Sequence, residues 1–227
     1  MTQLLITIDG PAGSGKSTVG KMLAEQLGAC FLDTGAMYRT VTWAAMQAGA
    51  DLKDGNALLE IIDNSVLEFS PGDEQFLARL NGRDVTELIR RPDVTANVHF
   101  IASNGSLRDR LVAMQRKFAS AQQKIVTEGR DQGTVAFPQA DVKFYLTAGA
   151  DERARRRKAQ LHSKGIDQPV EQVQSDIIRR DNSDLSRQAG PLKPAEDAII
   201  VDTTSMNIDQ TVQRLFDLVL EKCSQKC

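Results

Sequence analysis

The sequence predicts an α/β protein of three layers: helices on both faces of a five-stranded parallel sheet, an inserted subdomain with a small antiparallel sheet, and a helical lid. Three observations carry that prediction. Short apolar runs alternate with helical periodicity, a glycine-rich turn joins the first run to the first helix, and one stretch breaks the rhythm with strict apolar and polar alternation. At 227 residues the chain is long enough for one large unit or one unit carrying a sizeable insertion.

The elements follow in order. Residues 4–9 (LLITID) form an apolar run ending at glycine, and Val19, Met22, Leu23 and Leu27 then recur at helical spacing over 17–27. A second run at 30–32 ends in LDTG, and Met37, Val41, Ala44, Ala45 and Ala48 continue the helical period. Residues 67–84 alternate around Pro71-Gly72 and Asn81-Gly82, which predicts antiparallel hairpins. Residues 94–118 read as helix, so that 62–120 is an insertion between the second and third core strands. Three more strands are expected at 125–127 before EGRD, at 142–146, and at 198–201 before DTT. A last helix carries Ile208, Val212, Leu215 and Val219 behind an Asn207 cap, with Gln210 three residues on to complete a capping box. The expected division is a core of 1–61, 121–150 and 190–227, the insertion 62–120, and a lid of 151–189.

Composition narrows the function. Hydrophobic residues at 41% with 16 glycines besides exclude a disordered or collagen-like chain. Lys and Arg number 28 against 30 Asp and Glu, so no net positive field exists to hold a nucleic acid polymer or an anionic membrane. Any bound anion must meet local cations. Cys30, Cys223 and Cys227 are odd in number and lack metal-ligand spacing, which predicts reduced thiols. The first apolar run is too short and lacks the basic flank of a signal peptide, and no run approaches about 18 apolar residues. The expectation is a cytoplasmic protein.

Gly10-Pro11-Ala12-Gly13-Ser14-Gly15-Lys16-Ser17 fits GxxxxGK[ST] at every fixed position, between an expected strand and an expected helix. Such a P-loop turns successive N–H groups toward one centre, and the helix N-terminus adds partial positive charge. ATP phosphates are therefore expected on Gly10, Pro11, Ala12, Gly13, Ser14, Gly15, Lys16, Ser17 and Thr18. Lys16 supplies the mobile cation, and the Ser17 hydroxyl is the expected ligand of Mg²⁺.

Arg153, Arg155, Arg156, Arg157 and Lys158 crowd together against only Asp151 and Glu152. On a helix Arg153, Arg156 and Arg157 share a face, where like charges repel until a polyanion arrives, as in a lid closing over triphosphate. A solvated basic face is the alternative. Arg39, Arg130 and Arg187 fall near the ends of other elements, where open α/β sheets bind ligands, with a local ion pair of Arg130 or Asp131 to a neighbouring loop as the alternative. His99 and His162 lie far apart with no motif around them, and no Ser/His/Asp arrangement stands out. Transfer onto an acceptor that is already a phosphate needs no general base, because the attacking oxygen carries its own charge. No NKxD sequence and no acid closing an apolar strand is evident, which weighs against a nucleotide-driven switch. A P-loop kinase of another small acceptor, such as shikimate or a different nucleotide, stays open on these residues alone.

Taken together, IDGPAGSGKST, LDTGAMYR, EGRDQGTVAFP, DERARRRKAQL and RRDNSDLSRQAGPLKPAEDA, in that order, resemble the bacterial cytidylate kinase family nearly end to end. The resemblance implies transfer of the γ-phosphoryl of ATP to CMP or dCMP with Mg²⁺, and a monomer suffices for it. It implies that Lys16, Arg153 and Arg157 offset charge during transfer, and that Arg39, Arg130 and Arg187 hold the acceptor's phosphate. Thr34 joins the acceptor's ligands, Asp184 meets its sugar, and Asp131 and Arg108 read cytosine. A carboxylate accepts from the cytosine amino group and is repelled by the oxygen uracil presents there, so CMP is expected over UMP. His99, where a small serine is expected, and Gln132, in place of an apolar residue, depart from the family pattern.

Overall fold

The computed structural model describes residues 3–72, 75–163 and 165–224. Strand β1 (Leu4–Asp9) is buried along almost its whole length, as a continuous apolar run should be in the middle of a parallel sheet. Helix α1 (Lys16–Leu27) buries Val19, Leu23 and Ala24 and stops at Gly28, whose φ of 59° forms a left-handed cap. Strand β2 (Cys30–Asp33) leads into α2 (Thr34–Gln47), where the Asp33 carboxylate accepts the Ala36 amide at 2.8 Å as an N-cap.

Helix α3 (Gly55–Asp63) precedes β3 (Leu67–Ser70), β4 (Leu77–Leu80) and β5 (Arg83–Asp84), which form the expected antiparallel sheet in sequential order. Asn81 and Gly82 sit at φ 51° and 78°, the two positive values of a type I′ hairpin turn. After a 3₁₀ turn at Leu88–Arg90, the stretch expected to be helical over 94–118 is helical and divides into α4 (Pro92–Ser103) and α5 (Gly105–Ser120). Asn104 is the cause: its backbone is extended and its side-chain oxygen accepts the Leu107 amide at 3.1 Å, starting a new helix where the apolar period gave no sign of one.

Strand β6 (Lys124–Glu128) runs into a single π-helical turn at Gln132–Ala136. Strand β7 (Val142–Thr147), α6 (Ala150–His162), α7 (Val170–Ser186), β8 (Ile199–Asp202) and α8 (Ile208–Ser224) complete the chain. The capping box before α8 forms as expected, with the Gln210 amide donating to Asn207 at 2.8 Å and the Asn207 amide to Gln210 at 3.0 Å. Cys30 and Cys223 are free thiols, while Cys227 lies outside the described residues. Among the described residues no helix is long and apolar enough to cross a membrane.

The main sheet has five strands in the order β2-β6-β1-β7-β8, with β1 parallel to both β6 and β7 and β7 parallel to β8. Contacts divide the chain into two compact units, Met1–Ala29 with Gln123–Cys227, and Cys30–Gln122. Ile6, Ile8, Leu23, Val126, Phe144 and Leu215 are fully or almost fully buried in the first unit. Met37, Leu58, Ile89, Ile101, Leu107 and Leu111 form the corresponding interior of the second. Parallel strands end on one edge, so in the first unit Asp9, Glu128, Thr147 and Asp202 close their strands on the same side, where open α/β sheets hold ligands.

Candidate active site

The phosphate loop leaves β1 at Gly10, where φ is +148° and any Cβ would lie 2.1 Å from the Leu146 carbonyl oxygen, so only glycine lets the chain turn there. The Lys16 ammonium folds onto the loop itself, donating to the Pro11 carbonyl at 2.7 Å and the Ser14 hydroxyl at 3.3 Å. Burial, reinforced by the Arg130 charge, brings its pKa down to about 7. The Ser17 hydroxyl donates to Glu128 Oε1 at 2.5 Å. Glu128 therefore supplies what was not evident in the sequence, an acid closing an apolar strand. The signal was present in Ile125-Val126-Thr127-Glu128, but one carboxylate beside glycine reads as turn chemistry until its partner is known.

Arg153 and Asp181 hold the loop from the helical arm. Asp181 Oδ1 accepts the Ala12 amide at 2.9 Å, its other oxygen takes Arg153 Nη1, and Arg153 also donates to the carbonyls of Ala12 and Ala148, each at 3.0 Å. Ala12, Ala154, Val173, Ile177 and Leu161 pack as an apolar cluster beneath this clamp. Arg156 is tied to the Thr203 hydroxyl at 2.9 Å, to the Thr203 and Met206 carbonyls at 2.6 and 3.2 Å, and to Glu152 at 2.7 Å. Hydrogen bonds from Arg155, then Arg156, hold the Glu152 carboxyl down at about 2 despite partial desolvation. Arg157 donates to Gln160 at 2.6 Å. The repulsion expected along this face is thus relieved by Glu152, Asp181 and backbone carbonyls.

Four residues expected to meet the acceptor converge within the first unit. Arg130 Nε donates to Asp184 Oδ2 at 2.7 Å, Arg187 Nη1 approaches the other Asp184 oxygen at 3.4 Å, and Arg187 Nη2 lies 3.8 Å from Asp131 Oδ1. Burial alone would raise the Asp184 carboxyl, but Arg130, Arg180 and Arg187 outweigh it and hold it below its ordinary range. The Arg187 Nε is further fixed on the Gly190 carbonyl at 2.5 Å. Asp9, absent from the sequence-based candidates, accepts the amides of Gln132 and Gly133 on its two oxygens, each at 2.8 Å. Burial raises its pKa to about 6 against those two hydrogen bonds.

The second unit carries the remaining expected residues. Arg39 meets Asp33 at 3.1 Å, and Arg90 meets the same carboxylate at 3.7 Å. The Nε atoms of both arginines are buried without an acceptor, so two guanidiniums share one carboxylate and keep unused donors. Arg90 was missed from sequence because LIRRPD looks like a helix approach. Arg108 is buried, donates to the Ala102 carbonyl at 3.2 Å and lies 5.7 Å from the centre of the Tyr38 ring. Thr34 is buried at the start of α2, and His99 is exposed, with Nδ1 2.8 Å from the Ala96 carbonyl oxygen.

Comparisons with known proteins bear on this arrangement. A cytidylate kinase of Shouchella clausii (strain KSM-K16) is 46% identical over 220 residues, covering 97% of each chain. One from Bacillus anthracis is 42% identical over 218 residues, covering 96% of each. The crystal structure of TT1252 from Thermus thermophilus shares the fold, with a TM-score of 0.51 at 16% identity over 98% of each chain. The family model described as cytidylate kinase matches residues 6–221, a span that takes in the phosphate loop, the paired guanidiniums on Asp33 and the cluster around Asp184, and the chain belongs to that family.

Proposed function

We propose that the protein transfers the γ-phosphoryl group of ATP to CMP or dCMP, giving ADP and CDP or dCDP. The observation that carries this reading is the cluster of Arg130, Asp131, Asp184 and Arg187 on the same sheet edge as the phosphate loop. Two guanidiniums with two carboxylates suit an acceptor that has both an anionic phosphate and polar hydroxyl or amino groups.

The donor's phosphates are held by the loop from Gly10 to Thr18, on its amides other than that of Ala12, which Asp181 takes, and with none from Pro11. Lys16 gives up the neutral oxygens of Pro11 and Ser14 for phosphate oxygens, and its proton is held more tightly as it does so. Ser17 and Glu128 are two hard oxygen ligands close together, which fits Mg²⁺. When bound, that ion neutralises charge on the β- and γ-phosphate oxygens. Arg39, Arg130 and Arg187 hold the acceptor's phosphate, with Arg90 beside Arg39 adding a further donor. Asp184 takes a sugar hydroxyl, Asp131 accepts from the cytosine amino group, and Arg108 and Thr34 complete the acceptor's contacts. The acceptor phosphate attacks with its own charge, so the chain supplies positioning and cations, Arg153 and Arg157 among them, with no general base.

The protein works on small nucleotides in the cytoplasm, without a nucleic acid polymer or a membrane, and one chain carries every group named. Measuring ADP release with CMP, dCMP, UMP, AMP, shikimate and no acceptor tests the reading. Turnover concentrated on CMP and dCMP is expected, whereas equal release without acceptor would make the protein an ATPase and overturn it.

A further inference from the structure

We propose that Asp9 is a positioning residue for acceptor recognition, its carboxylate fixing the turn from which Arg130 and Asp131 reach the nucleotide. The inference rests on the assignment of Arg130 and Asp131 to the acceptor made above. Asp9 is the last residue of β1 and is only 4% exposed. Nothing about ending a central strand calls for a carboxylate, and a buried one costs stability unless its oxygens are filled. Both oxygens are filled, each at 2.8 Å, by amides 123 and 124 residues further along the chain.

Those amides sit at one critical place. The chain leaves β6 at Glu128, presents Arg130 and Asp131, and reverses into the π turn, in which the Asp131 carbonyl accepts the Val135 and Ala136 amides at 2.9 and 3.2 Å. Gln132 and Gly133 are the first two residues of that turn, where backbone donors have no partner within the turn itself. Asp9 supplies the acceptor for both. Because Asp9 also directly precedes Gly10, one side chain sets the acceptor-reading turn in register with the start of the phosphate loop. Asp131 repels Asp9, so electrostatics alone would push the two apart, and the paired amides hold them in place.

The test uses the full chain with Asp9→Asn, which keeps the volume and one acceptor oxygen but turns an NH₂ group toward the second amide. The expected result is a rise of about tenfold in the KM for CMP with a similar fall in the CMP over UMP preference, while the KM for ATP stays within about twofold. Amide hydrogen exchange at Gln132 and Gly133 is expected to speed up, and Asp9→Glu, which keeps the charge, should recover part of both effects. A rise in the KM for ATP equal to that for CMP, or an unchanged KM for CMP, overturns the proposal. Arg130→Met is measured in parallel. If that variant leaves the KM for CMP at the parental value, the acceptor assignment itself has failed; if it raises it and Asp9→Asn does not, only the role of Asp9 falls. Should Asp9→Asn fail to fold by circular dichroism, Asp9→Ser is read the same way, and failure of both makes the carboxylate a folding element and overturns the role proposed.

Discussion

Arg153 and Asp181 hold both backbone polar groups of one residue, the carboxylate taking the Ala12 amide and the guanidinium the Ala12 carbonyl, while bonded to each other. Both side chains are only 11% and 12% exposed, so removing one leaves the other largely buried without its partner. Asp181→Asn is expected to lower stability by about 3 kcal/mol in urea unfolding. In a double-mutant cycle the Asp181→Asn, Arg153→Met pair should lose less than the two single changes together, because each removes the same bond.

Lys16 stands where function and stability oppose each other. Its pKa falls from 10.5 unfolded to about 7 folded, so at and below pH 7 its charge is carried at the full cost of burial. That cost is relieved as pH rises from about 7 toward about 10, since the folded protein then holds fewer protons than the unfolded chain. Lys16→Met should therefore match or exceed the parent in stability at pH 6.5, with the gap narrower at pH 9, while turnover falls by more than about 100-fold. Denaturant midpoints at the two pH values and steady-state rates check both halves.

The same depressed pKa has a consequence for binding. With that pKa most Lys16 side chains in the free protein are neutral at pH 8, and a bound triphosphate is expected to restore the charge. ATP binding is expected to take up close to one proton at that pH. Calorimetry in buffers of different ionisation enthalpy measures the uptake, which Lys16→Met should abolish.

Asp131 is buried in a cluster with Arg187 and, in the function proposed, is the group that would distinguish an amino donor from a carbonyl acceptor. Asp131→Ala is expected to shrink the CMP over UMP ratio of kcat/KM by about 10- to 100-fold, chiefly by slowing CMP. An unchanged ratio would remove it from the specificity role.

Glu128 faces Ser17 across a 2.5 Å hydrogen bond. Glu128→Gln removes one anionic oxygen from a pair that suits a hard cation, so the Mg²⁺ concentration for half-maximal nucleotide binding should rise by about tenfold. Titrating Mg²⁺ against a fluorescent ATP analogue reads this directly, and binding of the metal-free nucleotide should change little.

Much of the architecture was legible because it is local. The run of LLITID, the glycines that follow it, and the Asn81-Gly82 turn each carry their conformation in a few neighbouring residues. The break at Asn104 was hidden because a polar residue between two apolar periods looks like a point on the helix surface, and only its cap to Leu107 reveals the restart. The supporting residues of the site were hidden for a different reason. Ser17 with Glu128, Gln132 with Asp9, and Ala12 with Asp181 are separated by 111, 123 and 169 residues. Each acid lay inside a motif already noticed, but a partner that distant leaves no periodic trace.

Arg156 spans from α6 to the loop after β8, and Arg153 fastens the same stretch of helix beside Pro11 and Ala12. A lever pinned twice near its base cannot pivot there. Whatever swing the helical arm makes over a bound nucleotide must begin beyond Arg156, so the side chains available to travel toward the triphosphate start with Arg157, and the root of the arm moves with the glycines it is bolted to.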